Sequence, residues 1–424
     1  MLGRDMWIAR RVKAPASAGA LVLVLLVGCR TRPPNPDSSR ATEFAVREDG
    51  EVIVVSAERT VMGGVPARVH VALPPGADGD RARQAACLAL DEIDRVESVL
   101  SPFRTGSDIA RLSEAPAGEW VELGRDALEV LSLARELWAG SGGAFDVTVG
   151  PLMLVWGFHG RREPRVPTPD ELARAMESVG MQRLELDALA RRARKLAERM
   201  RIDTGAIAKG YAVDRAAEVV AGELAHLGAG PGGPGALVEI GGEIVAIGEK
   251  APGRAWTVGL ERPRTREIIG KFPLPFRADL RAVASSADSW QYFVHEGRRY
   301  SHIVDPRTGM ARSAGVIGAT VLAADCATAD GLATALCVLE PAEGLALARD
   351  WHPGAEALVF VEGADGGVAL QATSGFPEVP GAMVRRGPTE ETPQRSPPAG
   401  REASPGASAR ESDRVGGVNR PQGP

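Results

Sequence analysis

Apolar and polar positions alternate through residues 52–55 and again through 65–73, a period of two that fits a β-hairpin turning at Met62-Gly63-Gly64. The period then lengthens. Ala86, Leu90, Ile93, Val96 and Leu100 recur at helical spacing, and a second helix is predicted over 126–139, ahead of Gly140. Thr168-Pro169-Asp170-Glu171 combines a threonine cap, a proline at the first helical position and a glutamate three residues on, so a third helix begins there. Residues 200–203 read as a strand that passes through Thr204-Gly205 into a helix with Ile207, Tyr211, Ala216 and Val220 on one side. Strands are predicted at 236–240, 244–247, 256–260, 281–285, 299–304 and 318–322. Helices follow at 327–338 and 343–350, with a closing strand at 357–361. This order is mixed rather than strictly alternating and carries no internal repeat, so the predicted fold class is α+β, one large domain with mixed sheets and packed helices.

Composition narrows the picture. A chain of 424 residues, 44% hydrophobic and 25% charged, is long enough for one large domain or two ordinary ones. A net charge of -5 with bases scattered among acids leaves no electrostatic footprint for nucleic acid. The 50 Gly and 31 Pro exceed average usage without a Gly-X-Y period, which excludes collagen and points to turns and loose ends.

Both ends are distinctive. Arg4, Arg10, Arg11 and Lys13 precede an apolar run over 18–27 that is too short to span a bilayer, so residues 1–28 read as a secretory signal. Leu26-Val27-Gly28-Cys29 resembles a bacterial lipobox, in which Cys29 is lipidated and becomes the mature N-terminus. The expectation is a chain lipid-anchored to a bacterial membrane and facing the periplasm or cell exterior. Arg30 does not resemble an inner-membrane retention aspartate and so favours the outer membrane. Residues 29–42 read as a tether, and 387–424, with seven Pro, six Gly and no aromatic residue, as a disordered tail. The folded body is expected over 43–386. After Cys29 only Cys87, Cys326 and Cys337 remain, and the last two lie ~16 Å apart along one predicted helix. No disulfide framework and no zinc-ligand spacing is expected.

Several stretches carry possible chemistry. IDTGAIAKGYAVD puts Asp203 at a predicted strand end and Lys209 in the first turns of a helix, a natural anion site, although taken alone an ordinary turn with a surface lysine fits as well. Lysine is scarce, since only Lys13, Lys195, Lys209, Lys250 and Lys271 stand among 50 basic residues. ATADGLATAL places Asp330 and Thr334 one helical turn apart, where they can share a hard cation or simply form a solvated face. YSHIVDPRTG holds His302 and Asp305, a base with a carboxylate relay or a packed histidine with a turn aspartate. VEIGGEI reads as a hairpin turn at Gly241-Gly242 that can admit a ligand, and Asp146 in GAFDVTVGPLMLVWGF needs a partner if buried.

Taken in order, MGG, SPFRTGSDIARL, GAFDVTVGPLMLVWGF, IDTGAIAKGYAVD, VEIGGEI, YSHIVDPRTG and ATADGLATAL resemble the ApbE family of FAD:protein FMN transferases over residues 62–339. The resemblance implies an ApbE-like domain with a T-fold-like core and a magnesium-dependent reaction. FAD is the substrate, FMN is joined through its phosphate to a threonine of a target protein, and AMP leaves. The implied partner is a membrane redox subunit with a short threonine motif. Matched motif by motif, Asp330, Thr334 and the carbonyl of Ala206 fall on the family's magnesium ligands. Met62, Phe103, Ala144, Phe145, Asp146, Asp203, Lys209, Gly241, Gly242 and Val304 fall on its flavin-binding positions. His302, with Asp330, falls on the catalytic ones. Phe103 stands where many members have tyrosine, and Gly331 where alanine is usual, at about 1 kcal/mol of helix propensity. Two other readings fit the same residues: a pyrophosphatase that cleaves FAD to FMN and AMP, and a non-catalytic FAD-binding lipoprotein.

Overall fold

Strands of alternating burial and helices with one buried stripe build the body of the chain. The computed structural model describes residues 23–25, 41–160, 163–226, 233–275, 279–289, 291–351, 354–363, 366–379 and 384–386. Cys29, most of the tether and the 387–424 tail lie outside the described residues, as does all of the signal except β1 (Leu23–Leu25), a short strand paired with β2 (Glu43–Asp49). β3 (Val52–Val61) and β4 (Val65–Leu73) form the expected hairpin. Next come α1 (Gly79–Leu100), α2 (Asp108–Glu114), β5 (Val121–Glu122), α3 (Arg125–Gly140), α4 (Gly150–Trp156) and α5 (Pro169–Met176). β6 (Leu184–Asp187), β7 (Arg192–Lys195) and α6 (Ala208–His226) precede the second half of the main sheet. That half holds β8 (Gly235–Ile240), β9 (Glu243–Ile247), β10 (Trp256–Glu261), β11 (Ile268–Leu274), β12 (Ala282–Ala287), β13 (Tyr292–His295), β14 (Arg298–Ser301) and β15 (Val316–Ala323). α7 (Cys326–Val338), α8 (Pro341–Trp351), β16 (Glu356–Glu362), β17 (Val368–Ala372) and β18 (Val384–Arg386) close the described body.

The architecture is α+β. An eleven-stranded sheet runs in the order β1-β2-β3-β4-β8-β9-β12-β15-β16-β17-β18, antiparallel except for the parallel pair β17–β18. Each face covers its own core because alternate residues of every strand point opposite ways. On one face Val69, Val71, Val238, Val245 and Val321 pack against α1, α6 and α7; on the other Val54, Leu237, Val283 and Phe360 meet Trp256, Val258 and Phe272 of the β10–β11 hairpin. A third, smaller cluster joins α4, α5 and the β13–β14 hairpin through Trp156, Phe158 and Tyr300. α5 starts at the predicted capping box, with both reciprocal bonds between Thr168 and Glu171 formed.

Three sequence expectations need correction. Residues 200–203 form no strand: Arg201 makes a single parallel bridge to Val149, and the partner segment then turns into α4 at Gly150. The strand expected over 299–304 stops at Ser301, with only Val304 bridging onward to Ala311. Cys326 and Cys337 are free and buried, as expected, but Cys87 is disulfide-bonded. The small sheet β5-β7-β6 was too short to read from the sequence: β5 has two residues, the Leu-Glu-Leu-Asp alternation of β6 spans only four, and β7 reads Arg-Ala-Arg-Lys.

Candidate active site

The site is organised where α6 crosses α7. Thr204 anchors the turn before α6 by donating to the Leu100 carbonyl at 2.7 Å, and its own carbonyl receives the amides of Ile207 and Ala208. Gly210 then lets the two helices touch, since a Cβ there would lie 2.2 Å from the Cys326 carbonyl oxygen and 2.9 Å from the Ala327 Cα. The close crossing brings the Gly210 amide within 3.1 Å of Asp330 Oδ2. α7 itself is fixed at its start: Asp325 caps the Thr328 amide, and the Asp214 carboxylate accepts from the amides of Cys326 and Ala327 at 2.8 to 2.9 Å. Burial raises the Asp214 carboxyl to about 7, against the pull of those two amides. Cys326, unexplained by the sequence, fills the buried gap against β12, with its thiol 3.7 Å from the Val283 carbonyl. Gly331 also has a packing reason, because a Cβ would meet Leu137 Cδ1 at 2.3 Å.

Above this crossing lies a cavity of about 440 Å³. Asp203, Ala206, Lys209, Asp330 and Thr334 line its floor-forming segments, and Met62, Gly241 and Gly242 line it from the β3–β4 and β8–β9 turns. Ala144, Phe145 and Asp146 enter from the loop after α3, and His302 and Val304 from the segment after β14. The residues that the resemblance singled out, all but one, therefore meet in one space. Phe103 is the exception: it is 70% exposed and reaches the site only through His159, on which its ring packs edge-on at 4.9 Å.

Electrostatics distinguish these groups. Lys209 pairs with Glu243 and lies 3.8 Å from Asp330 Oδ1. Burial alone would lower the lysine pKa, but the two carboxylates outweigh it and push it up. Burial raises both Glu243 and Asp330, with Lys209 pulling each back toward the charged form. The cluster is one cation between two buried acids. His302 is different: burial lowers its pKa, so its ring is neutral at physiological pH. Its Nδ1 lies 3.2 Å from the Gln291 carbonyl, which can only accept, so Nδ1 carries the proton and Nε2 is left as the acceptor.

Two open sequence readings are decided. Asp305 is no relay for His302, because its carboxylate is taken by the Arg307 amide and guanidinium at 2.9 to 3.0 Å. Asp146 does find partners, the Thr148 amide and hydroxyl and the Met181 amide, and it secures its loop even though burial raises its pKa. Glu243, His159, Gln291 and the Ser285–Ser286 pair line the cavity without having been singled out. Glu243 alone had left a trace, as an acid set at an inward position of an otherwise apolar strand.

The donor set suits a hard divalent cation. Ala206, Asp330 and Thr334 offer a carbonyl, a carboxylate and a hydroxyl, with Thr334 Oγ1 held 3.0 Å from Ser286 Oγ. Among the described residues no group of three His, Cys, Asp or Glu side chains is placed to hold a metal. Magnesium matches so sparse an oxygen set, since it keeps several waters and takes one or two carboxylates beside substrate phosphates, whereas zinc requires three or four protein ligands.

The α+β body that carries this cavity is similar to those of solved ApbE proteins. The crystal structure of the Pseudomonas stutzeri flavinyl transferase ApbE in its apo form is 31% identical, covers 80% of this chain and 100% of its own, and superimposes with a TM-score of 0.66. The ApbE protein of Thermotoga maritima gives 31% identity, 72% and 93% coverage and a TM-score of 0.62. The FAD:protein FMN transferases of Vibrio cholerae and Haemophilus influenzae are 36% and 32% identical over 270 and 291 residues. These alignments cover 61% and 66% of this chain and 75% and 79% of the relatives. The ApbE family model matches residues 64–359. The chain belongs to the ApbE family.

Proposed function

We propose that this chain is an FAD:protein FMN transferase that joins FMN to a threonine hydroxyl of a target protein and releases AMP. The observation that carries this reading is the meeting, in one cavity, of a lysine held between two buried acids and a histidine whose Nε2 is free to accept. The threonine oxygen bonds to the FMN phosphorus, the bond from that phosphorus to the bridging oxygen breaks, and AMP departs with the bridging oxygen. His302 Nε2 receives the hydroxyl proton. Lys209, at the start of α6, offsets pyrophosphate charge, and Gly241 and Gly242 let backbone approach the ligand. Phe103 offers an exposed ring against the isoalloxazine. Asp330, Thr334 and the Ala206 carbonyl would hold magnesium, which supplies Lewis-acid stabilisation of phosphate charge when bound.

The test uses purified protein, FAD, magnesium and a threonine-bearing acceptor. Asp330→Ala is expected to lose flavin transfer, a loss on the order of 3 kcal/mol or more in the barrier. Wild-type rates in that variant with magnesium present overturn the mechanism. Free FMN and AMP formed without any labelled acceptor would instead identify a hydrolase. The anchor completes the proposal: in the mature lipoprotein the Cys29 sulfur carries lipid instead of a disulfide with Cys87, and it holds the enzyme at a bacterial membrane, facing the compartment of a membrane redox acceptor.

A further inference from the structure

The β13–β14 hairpin stands beside the cavity with one edge covered and the other open. Glu296 and Gly297, at φ 49° and 75°, form a two-residue turn, which makes His295 and Arg298 the closing hydrogen-bonded pair. Alternation along an antiparallel ladder then leaves the pairs Val294–Arg299 and Tyr292–Ser301 with amides and carbonyls directed outward. On the β14 side that edge is used: the Ser301 amide donates to the Arg312 carbonyl at 3.0 Å, and Arg298 donates to Ser313 Oγ at 2.6 to 2.9 Å. On the β13 side, the outward amides of Tyr292 and Val294 have no backbone partner among the described residues. Their side chains are 49% and 61% exposed, while Phe293 between them points inward, stacked on Tyr300 at 5.3 Å and near Phe158 at 5.9 Å. This inward face pins the hairpin to the body. Gln291, immediately before β13, lines the cavity, and its carbonyl receives the His302 amide at 3.0 Å.

We infer that the open edge of β13 is the acceptor-docking edge, on which an extended segment of the target protein adds as a third strand and delivers its threonine to His302. The inference rests on the transferase reading, which requires a protein substrate to reach the cavity. The argument for this occupant is continuity: the open β13 edge leads directly from exposed Val294 to cavity-lining Gln291. Backbone pairing supplies affinity whatever the sequence, and the exposed Tyr292 and Val294 side chains give a partly apolar footing for alternate residues of the guest strand.

The experiment uses the full chain with FAD, magnesium and a library of peptides of roughly ten residues, a strand's length, each with one threonine. The best-labelled member is remade with single backbone N-methyl groups. Methylation at alternate positions is expected to raise its KM about tenfold, the loss of one hydrogen bond, and methylation between them to leave it unchanged. Val294→Pro removes only an outward amide and keeps the β13–β14 bonds, so peptide KM is expected to rise about tenfold with FAD affinity and unfolding temperature unchanged. Insensitivity to both the methyl pattern and Val294→Pro overturns the docking edge while leaving the transferase reading intact. Dimerisation through this edge with unchanged peptide KM overturns it as well. A wild-type protein that labels no peptide in the library counts against the transferase reading itself, and the docking edge falls with it.

Discussion

Replacing Gly210 with alanine tests the helix crossing that builds the site. The new Cβ would lie 2.2 Å from the Cys326 carbonyl oxygen, and neither atom can rotate away, since the first is fixed by its own backbone and the second belongs to backbone. Restoring ordinary contact requires α6 and α7 to separate by about 1 Å. Overpacking of that kind costs about 1–3 kcal/mol, and the Asp330 bond to the Gly210 amide, already 3.1 Å long, is lost at about 1.5–3 kcal/mol more. Alanine returns up to about 1 kcal/mol of helix propensity, so the net loss is about 1.5–6 kcal/mol. Gly222 on the same helix is the control: it is exposed with nothing within 4 Å of its Cβ position, so Gly222→Ala keeps the propensity gain and has no clash to offset it. The assay is urea unfolding of both variants, with flavin transfer measured on the folded protein. A shift of about 1 Å in Asp330 is expected to slow transfer about a hundredfold in Gly210→Ala alone. Equal stability and equal turnover in the two variants would refute the account of the crossing.

Two further outcomes are expected. Because burial lowers the His302 pKa below 6.5, the ring stays neutral above pH 6.5 and protonates only as pH falls through the depressed value. Transfer should therefore hold level above pH 6.5 and fall in acid. His302→Ala should be about a hundredfold to ten-thousandfold slower, without that acid limb; an acid limb persisting in the variant assigns the base elsewhere. Cys29→Ser should move the protein from the membrane fraction to the soluble fraction in a bacterial host, and a variant that still sediments with membranes rules out the anchor at Cys29.

The site was largely legible because its residues lie at turns with local signatures. The Thr204-Gly205 turn, the Gly241-Gly242 hairpin and the Asp330–Thr334 helical pair each announce a backbone geometry, and the order of motifs joins them. Glu243 was harder to see. Its role exists only because β9 lies beside the start of α6, a contact between residues 34 apart. The scarce Lys209 was flagged, but nothing local named its partner. His159 and Gln291 come from irregular segments whose positions depend on tertiary packing. Asp305 proves to be the turn aspartate of its two readings: a carboxylate three residues from a histidine is near in sequence, yet the Pro-bearing turn gives it to Arg307. The fold class followed from the order of elements, whereas β5, β6 and β7 were missed because strands of two to four residues are too short for an alternation to stand out.

α7 is enclosed on every side, and of its thirteen residues only Thr334, which opens into the cavity, is not buried. Amide exchange there requires the largest opening the body can undergo, while the two-stranded β13–β14 hairpin can fray on its own. Warming should therefore strip the protein of its capacities in sequence. On the proposed function, discrimination among acceptors fades first, and Asp330 is the last group to lose its place. On the same reading, a lineage could also rewrite the hairpin to label new proteins without disturbing the helix that would hold magnesium.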